Sequence, residues 1–180
     1  DYLTGEGFRI KEATMQKRET VFISEADQYL FAKGTHYDIY KKLGAHLSIE
    51  DGKEGVFFGV WAPNAAKVNV IGTFNDWNEE ADELPRIGPG GIHAGFIPGA
   101  DKGDLYKFLI TAQDGRKLYK ADPFANYAQR RPETASVITD ISSLKWTDTE
   151  WTKARASKDR NAEPLAIYEC HIGSWMRHPS

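Results

Sequence analysis

Between Gly55 and Trp61 the side chains follow a period of two, with Val56, Phe58 and Val60 on one side and Phe57 and Trp61 on the other. That spacing belongs to a strand, because successive side chains leave opposite faces of a pleated backbone. Ala62-Pro63-Asn64 interrupts it as a turn, and Val68, Val70 and Gly72 then alternate with Asn69, Ile71 and Thr73. The second run ends in Thr73-Phe74-Asn75-Asp76-Trp77-Asn78, an indole carried on a polar loop. A flat apolar ring displayed there suits the flat apolar face of a sugar ring, so carbohydrate binding is the first functional expectation.

The same alternation recurs downstream. Short strands are predicted at Ala94 to Ile97, Leu105 to Thr111, Lys117 to Lys120 and Ala135 to Thr139. Pro98-Gly99, Lys102-Gly103, Asp114-Gly115 and Asp122-Pro123 separate them as turns, and Pro85 through Gly91 is a loop. Several short strands at this spacing predict a mainly β chain, an antiparallel sandwich of immunoglobulin-like type, over residues 48–143.

The flanks read differently. Residues 1–22 mix charges with sparse apolar positions and predict a loosely attached leader. Two short helices are predicted within 23–47: one capped by Ser24 with Asp27 at its third position and stopped by Gly34, the other running from Thr35 and Asp38 to Gly44. Residues 144–163 form a polar linker with a short helix from Asp148 to Ala156. After Pro164, residues 165–172 read as an apolar strand with no partner following it, and the chain is expected to be a fragment of a larger protein.

At 180 residues, 41% apolar and 27% charged, the composition is that of a globular protein with one ordinary domain and an appendage. A net charge of −3, with Lys41-Lys42 and Arg130-Arg131 as the basic pairs, argues against nucleic acid. No apolar run reaches membrane-helix length, and a lone Cys170 fits a reducing cytoplasm. The five histidines show no metal spacing and no phosphate or dinucleotide fingerprint occurs, so no cofactor is expected. The acidic run Glu79, Glu80, Asp82 and Glu83 reads as solvated loop, and Trp61 as core or domain packing rather than a ligand contact.

Taken in order, Tyr40-to-His46, Gly59-Val60-Trp61-Ala62-Pro63-Asn64-Ala65, Gly72-Thr73-Phe74-Asn75-Asp76-Trp77, Tyr106-Lys107-Phe108, Lys120-to-Ala125, Arg131-to-Ser136 and Ile167-to-Trp175 resemble the bacterial glycogen branching enzymes. The resemblance covers about residues 25 to 178. It implies a carbohydrate-binding module 48 for the sandwich and the first strand of a catalytic (β/α)8 barrel, of α-amylase type, for residues 164–180. The activity it implies is transfer of α-1,4-glucan segments to 6-hydroxyls, with glycogen or maltooligosaccharides as partners. That retaining chemistry needs two carboxyl groups about 5 Å apart, which the family supplies from later barrel strands. This chain by itself is therefore expected to be inactive. Glu169 and His171 share a face of the last strand, but an isolated strand holds no site.

Carried over residue by residue, the resemblance assigns sugar contact to Trp77 and Lys107. Trp77 either stacks on glucose or serves structure, and Lys107 either donates to sugar or snorkels to solvent. Asn75 and Asp76 either bond sugar hydroxyls or hold the turn. The strong binders carry a second tryptophan after the next turn's glycine, where Arg116 and Lys117 follow Gly115 here, and their threonine and asparagine map near Thr134 and Ser136. Thr73 replaces a usual aspartate and His93 a common tryptophan, and loss of the second stacking platform is expected to weaken binding. A debranching enzyme, a trehalose-releasing hydrolase, a glycogen-targeting module and a pure interaction domain are the competing readings.

Overall fold

A computed structural model describes residues 18–142, 144–159, 161–162 and 164–175. The chain divides after Ser142 into two units. The first unit carries helix α1 (Glu25–Ala32) and strands β1 (Gly44–Glu50), β2 (Lys53–Trp61), β3 (Ala65–Gly72), β4 (Arg86–Ile87), β5 (Ile92–Pro98), β6 (Leu105–Ala112), β7 (Lys117–Lys120) and β8 (Ser136–Val137). The strands form two antiparallel sheets. One runs β1-β2-β5-β4; in the other β6 lies between β3 and β7, and β8 also pairs with β6. The two-sheet antiparallel architecture is the mainly β sandwich that the alternating pattern predicts.

Alternation decides what lies between the sheets. Val56, Phe58 and Val60 of β2 meet Val68 and Val70 of β3 and Tyr106 and Phe108 of β6 in one core. Phe58 and Tyr106 pack edge to face, their ring centroids 5.2 Å apart. The opposite row of β2 is buried at Phe57 but not at Trp61. Phe57 joins Leu43, Ile92 and Ala94 in a second cluster, with Val21, Ile23, Phe31 and Ile39 packed on it. A sheet with both faces apolar needs a cover on each, and the segment before β1 supplies the second one.

That cover revises the predicted leader. Residues 1–17 lie outside the described residues, but residues 20–22 are tied to β1 and to the turn before it. Val21 N–H donates to Ser48 Oγ at 2.9 Å, Thr20 Oγ1 to the Ile49 carbonyl at 2.9 Å, and Lys42 Nζ to the Phe22 carbonyl at 2.9 Å.

Helix α1 forms where its cap predicts. Ser24 Oγ accepts from Asp27 N–H at 3.1 Å, and the Asp27 carboxylate accepts from Ser24 N–H at 2.8 Å, a reciprocal box that satisfies two otherwise orphan donors. The second helix is not there. Residues 39–41 make a single 3-10 turn, and Gly44 opens β1 instead of ending a helix. With φ at +102° and Phe124 Cβ 3.1 Å from where a β-carbon would stand, Gly44 is a bend that only glycine takes comfortably. Leu43, fully buried, anchors this turn in the second cluster.

Behind the main core lies a buried polar cluster. Tyr106 Oη donates to the Asp122 carboxylate at 2.5 Å, Phe124 N–H to its other oxygen at 2.8 Å, and Asp122 N–H to Ser136 Oγ at 2.9 Å. Burial pushes the Asp122 carboxyl above the usual carboxylate range, partly offset by the bonds from Tyr106 and Phe124. His93 is also buried in the first unit. Its Nδ1 lies 3.2 Å from the Leu84 carbonyl, and its Nε2 has no hydrogen-bond partner.

In the second unit, helix α2 (Thr149–Ser157) matches the helix predicted from Asp148. The predicted strand over 165–172 does not form: residues 164–171 carry no strand pairing, and Ile172–Trp175 make a short helix, α3. Its apolar side chains Leu165, Ile167, Tyr168 and Ile172 are exposed. A strand exists through its ladder, and among the described residues none pairs with this segment. Glu169 and His171 accordingly face solvent, with His171 Nδ1 3.0 Å from Ser174 Oγ.

Candidate functional site

The outward face of the β3-β6-β7 sheet holds the sequence-predicted residues. Side chains at odd positions of β6, including Lys107 and Leu109, point away from the core that Tyr106 and Phe108 fill. Ile71 stands opposite Lys107, Asn69 opposite Leu109, and Tyr119 of β7 opposite Leu109 from the other side.

The loop after β3 is folded onto this face. Gly72 begins it, where a β-carbon would stand 2.3 Å from the Leu105 carbonyl and 2.6 Å from the Phe74 ring, so no larger residue fits. A 3-10 turn over Thr73–Asn75 follows, and then Asp76 and Trp77 both take left-handed backbone, with φ of 52° and 58°. Two consecutive non-glycine residues there cost about 1 kcal/mol or more each, and such strain persists only where surroundings impose it. Asn75 imposes it. Its Oδ1 accepts from Gly72 N–H at 2.9 Å, and its Nδ2 donates to the Val70 carbonyl at 2.9 Å and the Asp82 carboxylate at 2.7 Å. Trp77 N–H closes the loop on the Gly72 carbonyl at 2.8 Å, and Thr73 Oγ1 ties it to Asp104 at 2.7 Å and to Leu105 N–H at 3.1 Å.

Of the two readings of Asn75, the structure favours holding the turn: its oxygen and its amide group both bond protein. Asp76 is exposed, and Trp77 keeps 37% of its surface exposed, an indole set firmly at the surface. Lys107 is half-buried on its strand, and its ammonium donates to Thr134 Oγ1 at 2.9 Å. Lys107 and Thr134 are thus bonded neighbours, and the Trp77 backbone is pinned at the Gly72 end of β3, next in sequence to the Ile71–Lys107 pair. Ser136 does not join it, being buried with its hydroxyl bonded to Asp122 N–H. Trp61 lies elsewhere. It is 54% exposed at the end of β2, its indole N–H bonded to the Gly90 carbonyl at 2.9 Å and its ring edge-on to Phe31, so it is not core.

Two residues escaped the sequence reading. Tyr119, half exposed, puts a second aromatic ring on the same face, diagonal to Lys107. Counting from Gly115 hides it, because the strand resumes only at Lys117; the period of two from Lys117 to Tyr119 was the signal available. Glu79 is the other. Its carboxylate accepts from the Tyr119 hydroxyl and from Lys117 Nζ at 2.8 Å, and these two bonds hold its carboxyl below the usual range. The acidic run read as solvated loop is therefore paired: Lys117 is 3.6 Å from Glu80, and Lys67 is 3.5 Å from both Glu80 and Glu83. No group of three or more metal-ligating side chains converges among the described residues. No helix among them is long and apolar enough to cross a membrane.

Comparison with known proteins sets this geometry in a family. Residues 42–125 match the family model described as carbohydrate-binding module 48 (isoamylase N-terminal domain). The chain is 63% identical over 161 residues to the 1,4-alpha-glucan branching enzyme GlgB of Butyrivibrio fibrisolvens, covering 89% of this chain and 25% of that enzyme. It is 46% identical over 154 residues to that of Thermosynechococcus vestitus, covering 86% and 20%, and 47% identical over 154 residues to that of Halothermothrix orenii, covering 86% and 24%. The chain thus spans a quarter or less of the length of these relatives. Over most of its own length the chain is similar to the 1,4-alpha-glucan branching enzymes, and within that stretch residues 42–125 match carbohydrate-binding module 48.

Proposed function

We propose that the sandwich is a glucan-binding and supporting domain of a glycogen branching enzyme, a cytoplasmic protein that transfers α-1,4-glucan segments to 6-hydroxyls to make α-1,6 branches. Catalysis belongs to the part of the enzyme that this chain does not span, so the chain alone is inactive. The observation that supports the reading is Lys107 bonded to Thr134 on β6, with Tyr119 diagonal to Lys107 and the Trp77 backbone pinned at the adjoining end of β3. Two aromatic rings offer stacking surfaces to successive glucose units, while an ammonium and a hydroxyl offer donors to ring hydroxyls. Each stack contributes about 1 kcal/mol, by analogy with other aromatic pairs, and Asp76 at the loop's exposed corner adds an acceptor. Tyr119 takes the part of the second aromatic that the sequence reading had as missing, which favours binding over a purely structural module.

The test is titration of the chain with β-cyclodextrin, a closed ring of α-1,4-linked glucose, followed by tryptophan fluorescence. Trp77→Ala and Tyr119→Ala are each expected to weaken saturable binding by about fivefold to tenfold, the equivalent of about 1 kcal/mol. Binding retained in both variants would move the site off this face. No binding by the folded wild-type chain would leave the module as support for the rest of the enzyme.

A further inference from the structure

The outward face carries a contact that sugar recognition does not itself require. Both oxygens of the Glu79 carboxylate are engaged, one by the Tyr119 hydroxyl and the other by Lys117 Nζ at 2.8 Å. These partners lie 40 and 38 residues away in sequence, on β7. All four residues of β7 are exposed, so burial of its own side chains does little to hold the strand in place. Its ladder with β6 holds it along one edge, and Glu79 straps it from above. On the other side of the face Asn69 Nδ2 bonds the Ala81 carbonyl at 2.7 Å, and Lys67 sits between Glu80 and Glu83. The segment 79–83 therefore crosses the face from β7 to β3, with Trp77 at its head.

We propose that Glu79 is a positioning residue that fixes the Trp77 loop to β7, so that the two aromatic rings form one preorganised glucan surface. The inference rests on the glucan-binding reading given above. An isolated surface ion pair contributes little, because ordering two long side chains offsets the attraction. Glu79 differs in that one ordered carboxylate serves two charge-assisted bonds, and both join segments remote in sequence. Cutting it leaves the exposed Lys117–Glu80 pair, at 3.6 Å, as the remaining side-chain tie between loop and strand, and so loosens them. Disorder regained in the free protein must be removed again on binding, and that lowers affinity without loss of any sugar contact.

Glu79→Ala and Glu79→Gln in the whole chain test this, read by amide hydrogen exchange without ligand and by β-cyclodextrin affinity. Glu79→Ala is expected to speed exchange several-fold in residues 76–81 and 117–120 and to weaken β-cyclodextrin about fivefold. Glu79→Gln keeps an acceptor for the Tyr119 hydroxyl and is expected to hold affinity within about twofold of wild type. Tyr119→Phe keeps the ring but drops that bond, and is expected to speed exchange in the same two segments. Unchanged exchange in Glu79→Ala overturns the proposal whatever the affinity does, and loss of affinity without faster exchange would make Glu79 a sugar contact instead. If wild type binds no β-cyclodextrin, the glucan reading fails on its own, and the exchange data still decide whether Glu79 is a tether.

Discussion

Removing one oxygen from the centre of the sandwich tests the account of its polar cluster. Tyr106 is 1% exposed and Asp122 6%, and they meet at 2.5 Å. Tyr106→Phe keeps the ring that packs on Phe58 and Phe108, so the change isolates the hydroxyl. Where Asp122 is ionised the loss is a bond to a buried carboxylate, which then keeps the Phe124 N–H donor on its other oxygen. Bonds to charged groups contribute about 1.5–3 kcal/mol, and a buried unpaired oxygen adds its desolvation cost, so about 2–3 kcal/mol is expected. The pH dependence has a definite sign. Burial raises the Asp122 carboxyl and the Tyr106 bond lowers it, so in the variant the carboxyl rises further. The protonated carboxyl loses only a neutral hydrogen bond, about 1 kcal/mol. The difference between wild type and variant must therefore grow as pH rises through the carboxyl's folded-state range. Urea unfolding at a series of pH values up to pH 8, followed by near-ultraviolet circular dichroism, measures it. A difference below about 0.5 kcal/mol at pH 8, or one that shrinks as pH rises, would refute the reasoning.

Other expectations follow from the same contacts. Gly72→Ala drives a β-carbon to 2.3 Å from the Leu105 carbonyl; backbone must move, at about 2–3 kcal/mol in urea unfolding, and β-cyclodextrin affinity should fall with it. Asn75→Ala removes three hydrogen bonds from the Trp77 loop. It should weaken β-cyclodextrin binding without Asn75 touching sugar, with faster amide exchange at 76–78 as the accompanying sign. Burial alone would raise the Asp27 carboxyl, but bonds from Ser24 and His36 outweigh it and hold it at about 2, below its ordinary value of 3.8. A lowered folded value means stability present above the unfolded value and lost as pH falls toward 2. Exchange in α1 should therefore accelerate across that window, and Asp27→Asn should flatten the response.

Much of this was legible without coordinates, for stated reasons. The two rows of β2 announced themselves by alternation, and the Ser24–Asp27 box by its spacing, because both depend on residues within one turn or one strand. Failures came where distant residues decided. Thr35 to Gly44 has the caps of a helix, yet Leu43 is drawn into a cluster with Phe57 and Ile92, and Gly44 pairs with Gly59 of β2. Residues 165–172 have strand composition but no ladder. At the site, Trp77 and Lys107 were found by resemblance. Tyr119 was lost to an irregular turn, and Asn75 was left undecided between sugar and scaffold, since only its contacts with Val70 and Asp82 distinguish them.

The chain's sequence, by itself, determined that it would be a β-sandwich with an indole on a loop after its second long strand. Alternation, turn residues and capping are local, and their energies are set by neighbours along the backbone. Tertiary structure alone decided that the acidic run is a strap, that the segment before β1 seals a second core, and that Tyr119 shares a face with Lys107. Those outcomes depend on pairs about 10 to 40 residues apart, whose meeting is fixed by sheet register and close packing rather than by any local preference.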